Sequence, residues 1–92
     1  MNDLRDKICV ITGAGKGFGL DLAKKYLSLG SKLALITRSA DDVVSLRSLF
    51  ADSKADVLIF AGDVSEPNTV EIFKDAVLER FNTVDVLINN AG

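Results

Sequence analysis

The residues best placed to do chemistry are the glycines of Thr12-Gly13-Ala14-Gly15-Lys16-Gly17-Phe18-Gly19, which lie between an apolar run at residues 8–11 and an amphipathic pattern. Glycine removes the Cβ that would keep backbone N–H groups away from a phosphate, and a helix start adds unpaired donors and partial positive charge. Strand, glycine turn and helix in that order are suited to holding a pyrophosphate. The spacing is neither G-x-G-x-x-G, because position 18 is Phe, nor a magnesium-nucleotide loop, because Gly15-Lys16 is followed by Gly17 and not by Ser or Thr. What remains is T-G-x-x-x-G-x-G. Candidates for catalysis are few. His is absent, and with it the commonest general base and metal ligand. The one Cys, Cys9, sits inside the first apolar run and is expected to fill core space. Tyr26, the one tyrosine, falls on the apolar stripe of a helix and has Gly30 four residues on, so it reads as a packing residue.

The elements that must position the glycine turn follow from hydrophobic patterning. Apolar runs at residues 8–11, 33–36, 57–61 and 84–88 are continuous, as expected for parallel strands covered on both faces. Three helical segments separate them. Residues 17–29 place Phe18, Leu22, Tyr26 and Leu29 on one stripe, with Gly30 as the stop. Residues 41–50 align Val43, Leu46 and Phe50, and Asp41 and Asp42 read as helix-start residues. A third helix follows Ser65, the expected N-cap, with Pro67 in its first turn and Val70, Phe73, Val77 and Phe81 aligned. The fold class is therefore α/β, a Rossmann-like parallel sheet in the order βαβαβαβ. Right-handed crossovers and a phosphate loop after the first strand imply strand order 3-2-1-4. The fourth strand is then an edge strand with apolar side chains that something must cover. Asp85, just inside it, is expected to have a local structural role.

The T-G-x-x-x-G-x-G turn, Asp63-Val64 after the third strand and Asn89-Asn90-Ala91-Gly92 after the fourth together resemble the short-chain dehydrogenase/reductase family over all 92 residues. The resemblance implies cofactor contacts from Thr12, Gly13, Gly15, Lys16, Gly17, Phe18 and Gly19. It implies adenine contact from Asp63 and Val64, and support and cofactor contact from Asn90, Ala91 and Gly92. Phe18 stands where the family usually has Ile and Gly15 where Ser is common, changes that spare every backbone donor. The choice of dinucleotide is expected at the end of the second strand, where a carboxylate would bind the ribose 2′-hydroxyl of NAD. That place reads Thr37-Arg38-Ser39, and Arg38 with Lys16 is suited to a 2′-phosphate, so the expected cofactor is NADP(H). Asp41 and Asp42 are not assigned to the ribose.

Family members use a Ser and a Tyr-x-x-x-Lys pair that would lie beyond the Asn-Asn-Ala-Gly motif. No catalytic or metal-binding residue is therefore assigned, and these residues alone are expected to be inactive. The expectation is a single partial domain, residues 1–92, truncated relative to the family fold. It would supply dinucleotide binding to an NADP(H)-dependent oxidoreductase whose carbonyl or alcohol substrate binds only an intact form. The alternative is a non-catalytic module that binds NADP(H) or associates with another chain, including a second copy through the exposed fourth strand. A net charge of −2 offers no attraction to nucleic acid, and no apolar run approaches the roughly 20 residues of a membrane span. The charged start of the chain lacks a signal-like apolar segment, so a cytoplasmic location is expected.

Overall fold

Uninterrupted apolar strands call for cover on both faces. The structure, a computed structural model, describes residues 4–90. The elements are β1 (Ile8–Thr12), α1 (Gly17–Ser28), β2 (Lys32–Thr37), α2 (Ala40–Leu49), β3 (Val57–Ala61), α3 (Pro67–Phe81) and β4 (Val86–Ile88). The four strands are parallel in the order β3-β2-β1-β4, as the patterning implies. β1 is central, with Cys9 opposite Leu33 on one side and Val86 on the other. The crossover helices bury β1 and β2, whereas β3 and β4 stay partly exposed, short of that expectation.

Alternate residues of each strand feed two different cores. Cys9, Ile11, Leu33 and Leu35 pack with Ala23 of α1, Leu46 of α2 and Phe50. Ile8, Val10, Ala34 and Ile36 pack with Phe73, Val77 and Phe81 of α3. Cys9 is fully buried, and burial pushes its thiol pKa up, opposed by a hydrogen bond involving Ser31 and reinforced by the charge of Asp85. Tyr26 lies half-buried against the first core.

The helix ends show local sequence at work. After α1, Gly30 adopts φ 93° and donates to the Leu27 carbonyl at 3.0 Å, while the Ser31 N–H reaches Tyr26 at 3.2 Å. This paired closure satisfies the last carbonyls and needs a left-handed residue at position 30. Ser39 caps α2 by accepting the Asp42 N–H. α3 differs from expectation, since its N-cap is Glu66 and Ser65 instead donates its N–H to Asp63 Oδ1 at 2.9 Å. The residue before a proline is driven to extended backbone, and Glu66 precedes Pro67, so the cap falls one place later.

Three further expectations are corrected. Phe18 is 66% exposed because α1 approaches the sheet along its small residues Gly19 and Ala23, which leaves the first-turn aromatic outside. Val70 is also exposed, and α3 buries Phe73, Val77 and Phe81. β4 begins at Val86, not at Val84. The Asp85 side chain accepts the Ile8 N–H at 2.8 Å, and the Asp85 N–H donates to the Ile8 carbonyl at 2.9 Å, so a carboxylate takes the place of a ladder carbonyl.

α3 covers only part of its face. Leu87 is 64% exposed and borders an apolar groove of about 760 Å³ between β4 and α3, lined by Val10, Phe73, Val77 and Val84 among others. Phe73→Ala is expected to cost about 3 kcal/mol of unfolding free energy, whereas Leu87→Ala should change it by less than about 0.5 kcal/mol. Urea denaturation of the two variants checks the difference.

Candidate functional site

The turn after β1 is held from both neighbouring strands. The Ala14 N–H donates to the Ile36 carbonyl of β2 at 3.2 Å. From the β4 side, Thr12 Oγ1 donates to Asn89 Oδ1 at 3.1 Å and accepts the Asn90 N–H at 2.9 Å. The Asn90 side-chain amide donates to the Gly13 carbonyl at 3.3 Å. Gly13 and Gly17 both adopt φ 62°, a left-handed conformation that favours glycine. At Gly19 the reason is space: a Cβ there would collide with the Gly13 carbonyl oxygen and stand 2.7 Å from Asn90 Nδ2.

α1 opens with Lys16 as an extended N-cap whose side chain makes no capping bond, and its first turn has no acidic residue. A Cβ on Gly17 would meet nothing within 4 Å, so the space over the helix start is open. These residues fit a phosphate group: the backbone at the helix start can be approached closely, and no acidic side chain stands in the first turn of α1.

Across the C-terminal ends of β1 and β2 lies a cavity of about 380 Å³ whose lining includes Gly13, Gly15, Lys16, Thr37, Arg38 and Ser39. Ile36, Asp42, Gly62 and Val64 complete it. Thr37 is buried and its carbonyl accepts the Gly62 N–H at 2.9 Å, which ties the start of the loop after β3 to the end of β2. Arg38 is largely exposed, with Nε 3.7 Å from Asp63 Oδ2, a loose pair that water screens. The Asp63 carboxyl is held below its ordinary pKa, first by the Ser65 N–H, then by the Ser65 hydroxyl and the charge of Arg38.

The structure thus brings Gly13, Gly15, Lys16, Thr37, Arg38, Ser39 and Val64 to one cavity, with Asp63 and Thr12 on the adjoining groove. Gly17 and Phe18 stand at the helix start outside that cavity, and Gly19 and Asn90 lie behind the turn as supports. Ala91 and Gly92 lie outside the described residues. Sequence reasoning passed over Ile36 and Gly62 and read Asp42 as a helix-start residue only, whereas all three line the cavity. Among the described residues no cluster of His, Cys, Asp or Glu could hold a metal ion, and no helix is long and apolar enough to cross a membrane.

A parallel sheet with a glycine turn at the point where strand order reverses defines a dinucleotide-binding type of α/β fold. The profile of the short chain dehydrogenase family matches residues 7–92, and the chain belongs to that family. It is 41% identical over 88 residues to 11-beta-hydroxysteroid dehydrogenase-like 2 of Arabidopsis thaliana, covering 94% of this chain and 28% of that protein. It is 34% identical over 92 residues to the CLA biosynthesis dehydrogenase/reductase of Lactiplantibacillus plantarum, covering 100% of this chain and 32% of that one. The chain therefore spans about a third of the length of such relatives. Among solved structures, L-sorbose reductase from Gluconobacter frateurii, complexed with NADPH and L-sorbose, superimposes with TM-score 0.89 at 34% identity, covering 99% of this chain and 36% of that one. A short chain dehydrogenase/reductase from Burkholderia phymatum in complex with NAD gives TM-score 0.87 at 37% identity, covering 95% and 31%.

Gly19→Ala is expected to lower stability by about 1–3 kcal/mol, because α1 must retreat from the Gly13 carbonyl and Asn90 must give way. Chemical denaturation monitored by circular dichroism measures it, and an unchanged midpoint would contradict the close approach.

Proposed function

We propose that this chain is the dinucleotide-binding part of an NADP(H)-dependent short-chain oxidoreductase that transfers hydride between the cofactor and a carbonyl or alcohol. The observation that carries the reading is the pairing of two cations with one cavity: Lys16 from the glycine turn and Arg38 from the end of β2 both line it, beside the uncapped start of α1. In this reading Gly13, Gly15, Gly17, Phe18 and Gly19 accommodate the pyrophosphate by backbone approach and by the helix start. Thr37, Arg38 and Ser39 receive the adenosine ribose and its 2′-phosphate, with Lys16 opposite. Asp63 and Val64 border the adenine. Thr12 and Asn90 hold the turn, and cofactor contact from Ala91 and Gly92 rests on the family resemblance alone. The nicotinamide supplies or accepts the hydride when bound. This chain's own residues bind and orient, and none of them is assigned a proton transfer. A cytoplasmic setting belongs to the same proposal.

Calorimetric titration of the 92-residue chain with NADPH and NADH tests it. Saturable binding that favours NADPH is expected. Arg38→Ala should weaken NADPH by about tenfold or more, the equivalent of one charge-assisted hydrogen bond, and NADH by less than about twofold. Equal weakening of both would sink the 2′-phosphate assignment.

A second reading, a non-catalytic module that binds NADP(H) or associates with another chain, draws on the apolar groove beside β4 and on exposed Val84 and Leu87. It predicts a concentration-dependent dimer in sedimentation velocity that Leu87→Lys disrupts. A monomer at all concentrations counts against self-association.

A further inference from the structure

The cavity that Lys16 and Arg38 share also contains a carboxylate, and the position of that carboxylate is not explained by helix capping. Asp42 is the third residue of α2, three after the capping Ser39, and its N–H donates to Ser39 Oγ at 3.3 Å. In a reciprocal cap its side chain would turn back to the Ser39 N–H. Instead Asp42 Oδ2 accepts the hydroxyl of the buried Thr37 at a long 3.4 Å. The carboxylate is thereby turned toward the glycine turn. A Cβ on Gly15 would stand 2.5 Å from Asp42 Oδ2 and 2.6 Å from Thr37 Oγ1, so the space beside residue 15 is already filled by this pair. Asp42 and Gly15 line the same cavity as the two cations.

We infer that Asp42 is a specificity-determining residue that works against Lys16 and Arg38, favouring an unphosphorylated ribose and narrowing the preference for NADP(H) over NAD(H). The inference rests on the proposed seating of the adenosine ribose at the Arg38 corner. A ribose hydroxyl can donate to a carboxylate, whereas a 2′-phosphate has only negative oxygens to offer it and is repelled. The cations act in the opposite sense, so the pocket holds a built-in opposition of charges, and selectivity is the difference between them. Gly15 is part of the device, because any side chain at that position would displace the carboxylate.

Asp42→Asn keeps the size of the side chain and an oxygen for the Thr37 hydroxyl while removing the charge. Titrations of the 92-residue chain with NADPH and with NADH should show NADPH binding about fivefold tighter in this variant and NADH binding unchanged or weaker. Asp41→Asn serves as the control. It removes a charge from the same first turn of α2, but Asp41 is exposed and does not line the cavity. It should leave the NADPH to NADH ratio unchanged. Equal shifts in the two variants would reduce the effect to general charge and overturn the inference, as would an unchanged ratio in Asp42→Asn. Arg38→Ala in the same series separates this inference from the reading beneath it. If that variant alters the ratio and Asp42→Asn does not, only the role of Asp42 fails. If Arg38→Ala leaves the ratio unchanged, or neither dinucleotide binds the unaltered chain, the 2′-phosphate assignment fails and takes the role of Asp42 with it.

Discussion

The contact between α1 and the turn that precedes it governs the rest of this structure. Residue 19 faces the Gly13 carbonyl so closely that no side chain fits there, and the Asn90 amide closes on the same carbonyl from the far strand. Because α1 can settle this deeply, Ala23 reaches the sheet and joins Cys9 and Leu33 in the first core. The same approach sets the helix start directly beyond the end of β1, where its free N–H groups face open space. A larger residue at position 19 would act on both the packing of α1 and the geometry of the turn. The glycine is thus a packing residue in its own right.

The site's remaining parts depend on the sheet order. β1 lies between β2 and β4, which puts the turn after β1 at the point where strand order reverses, and a cavity lies across the carboxyl ends of β1 and β2. Backbone bonds fix its walls: Ala14 to Ile36 joins the first loop to β2, and Gly62 to Thr37 joins the third loop to the same strand. Thr37 is the shared point. Its carbonyl holds the loop after β3, and its hydroxyl turns the carboxylate of Asp42. The carboxylate in the cavity is therefore placed by the end of β2, while Arg38 stands exposed at the rim, loosely paired with Asp63.

Much of this was legible in the residues themselves. Continuous apolar runs marked the strands, of which only β1 is buried throughout and β2 in all but its first residue, and the glycine turn after the first run identified the point where the sheet reverses, which together set the order of all four strands. What escaped was decided by contacts distant in sequence or by competition between local rules. Phe18 has the right helical spacing for the core, yet the approach of α1 along Gly19 and Ala23 leaves it outside. Ser65 is a good N-cap type, but Pro67 dictates the backbone of Glu66 and moves the cap. Val84 continues an apolar run, and the Asp85 carboxylate ends the ladder before it. Asp42 has the spacing of a reciprocal cap, and only the buried Thr37 hydroxyl shows that its side chain turns the other way.

The clamp from β4 also bears on the order in which the molecule assembles. Thr12 meets Asn89 across 77 positions and Asn90 across 78, so these bonds close loops as long as those of the β1–β4 pairing itself. Closing so long a loop costs chain entropy before any contact repays it, whereas the neighbouring crossovers close sooner. On a ribosome the first two strands and their helix can dock while residues 89 and 90 are still to be made. The glycine turn then exists with one wall missing until β4 has paired with β1. Arrest of synthesis short of Asn89 would leave the turn supported from β2 alone.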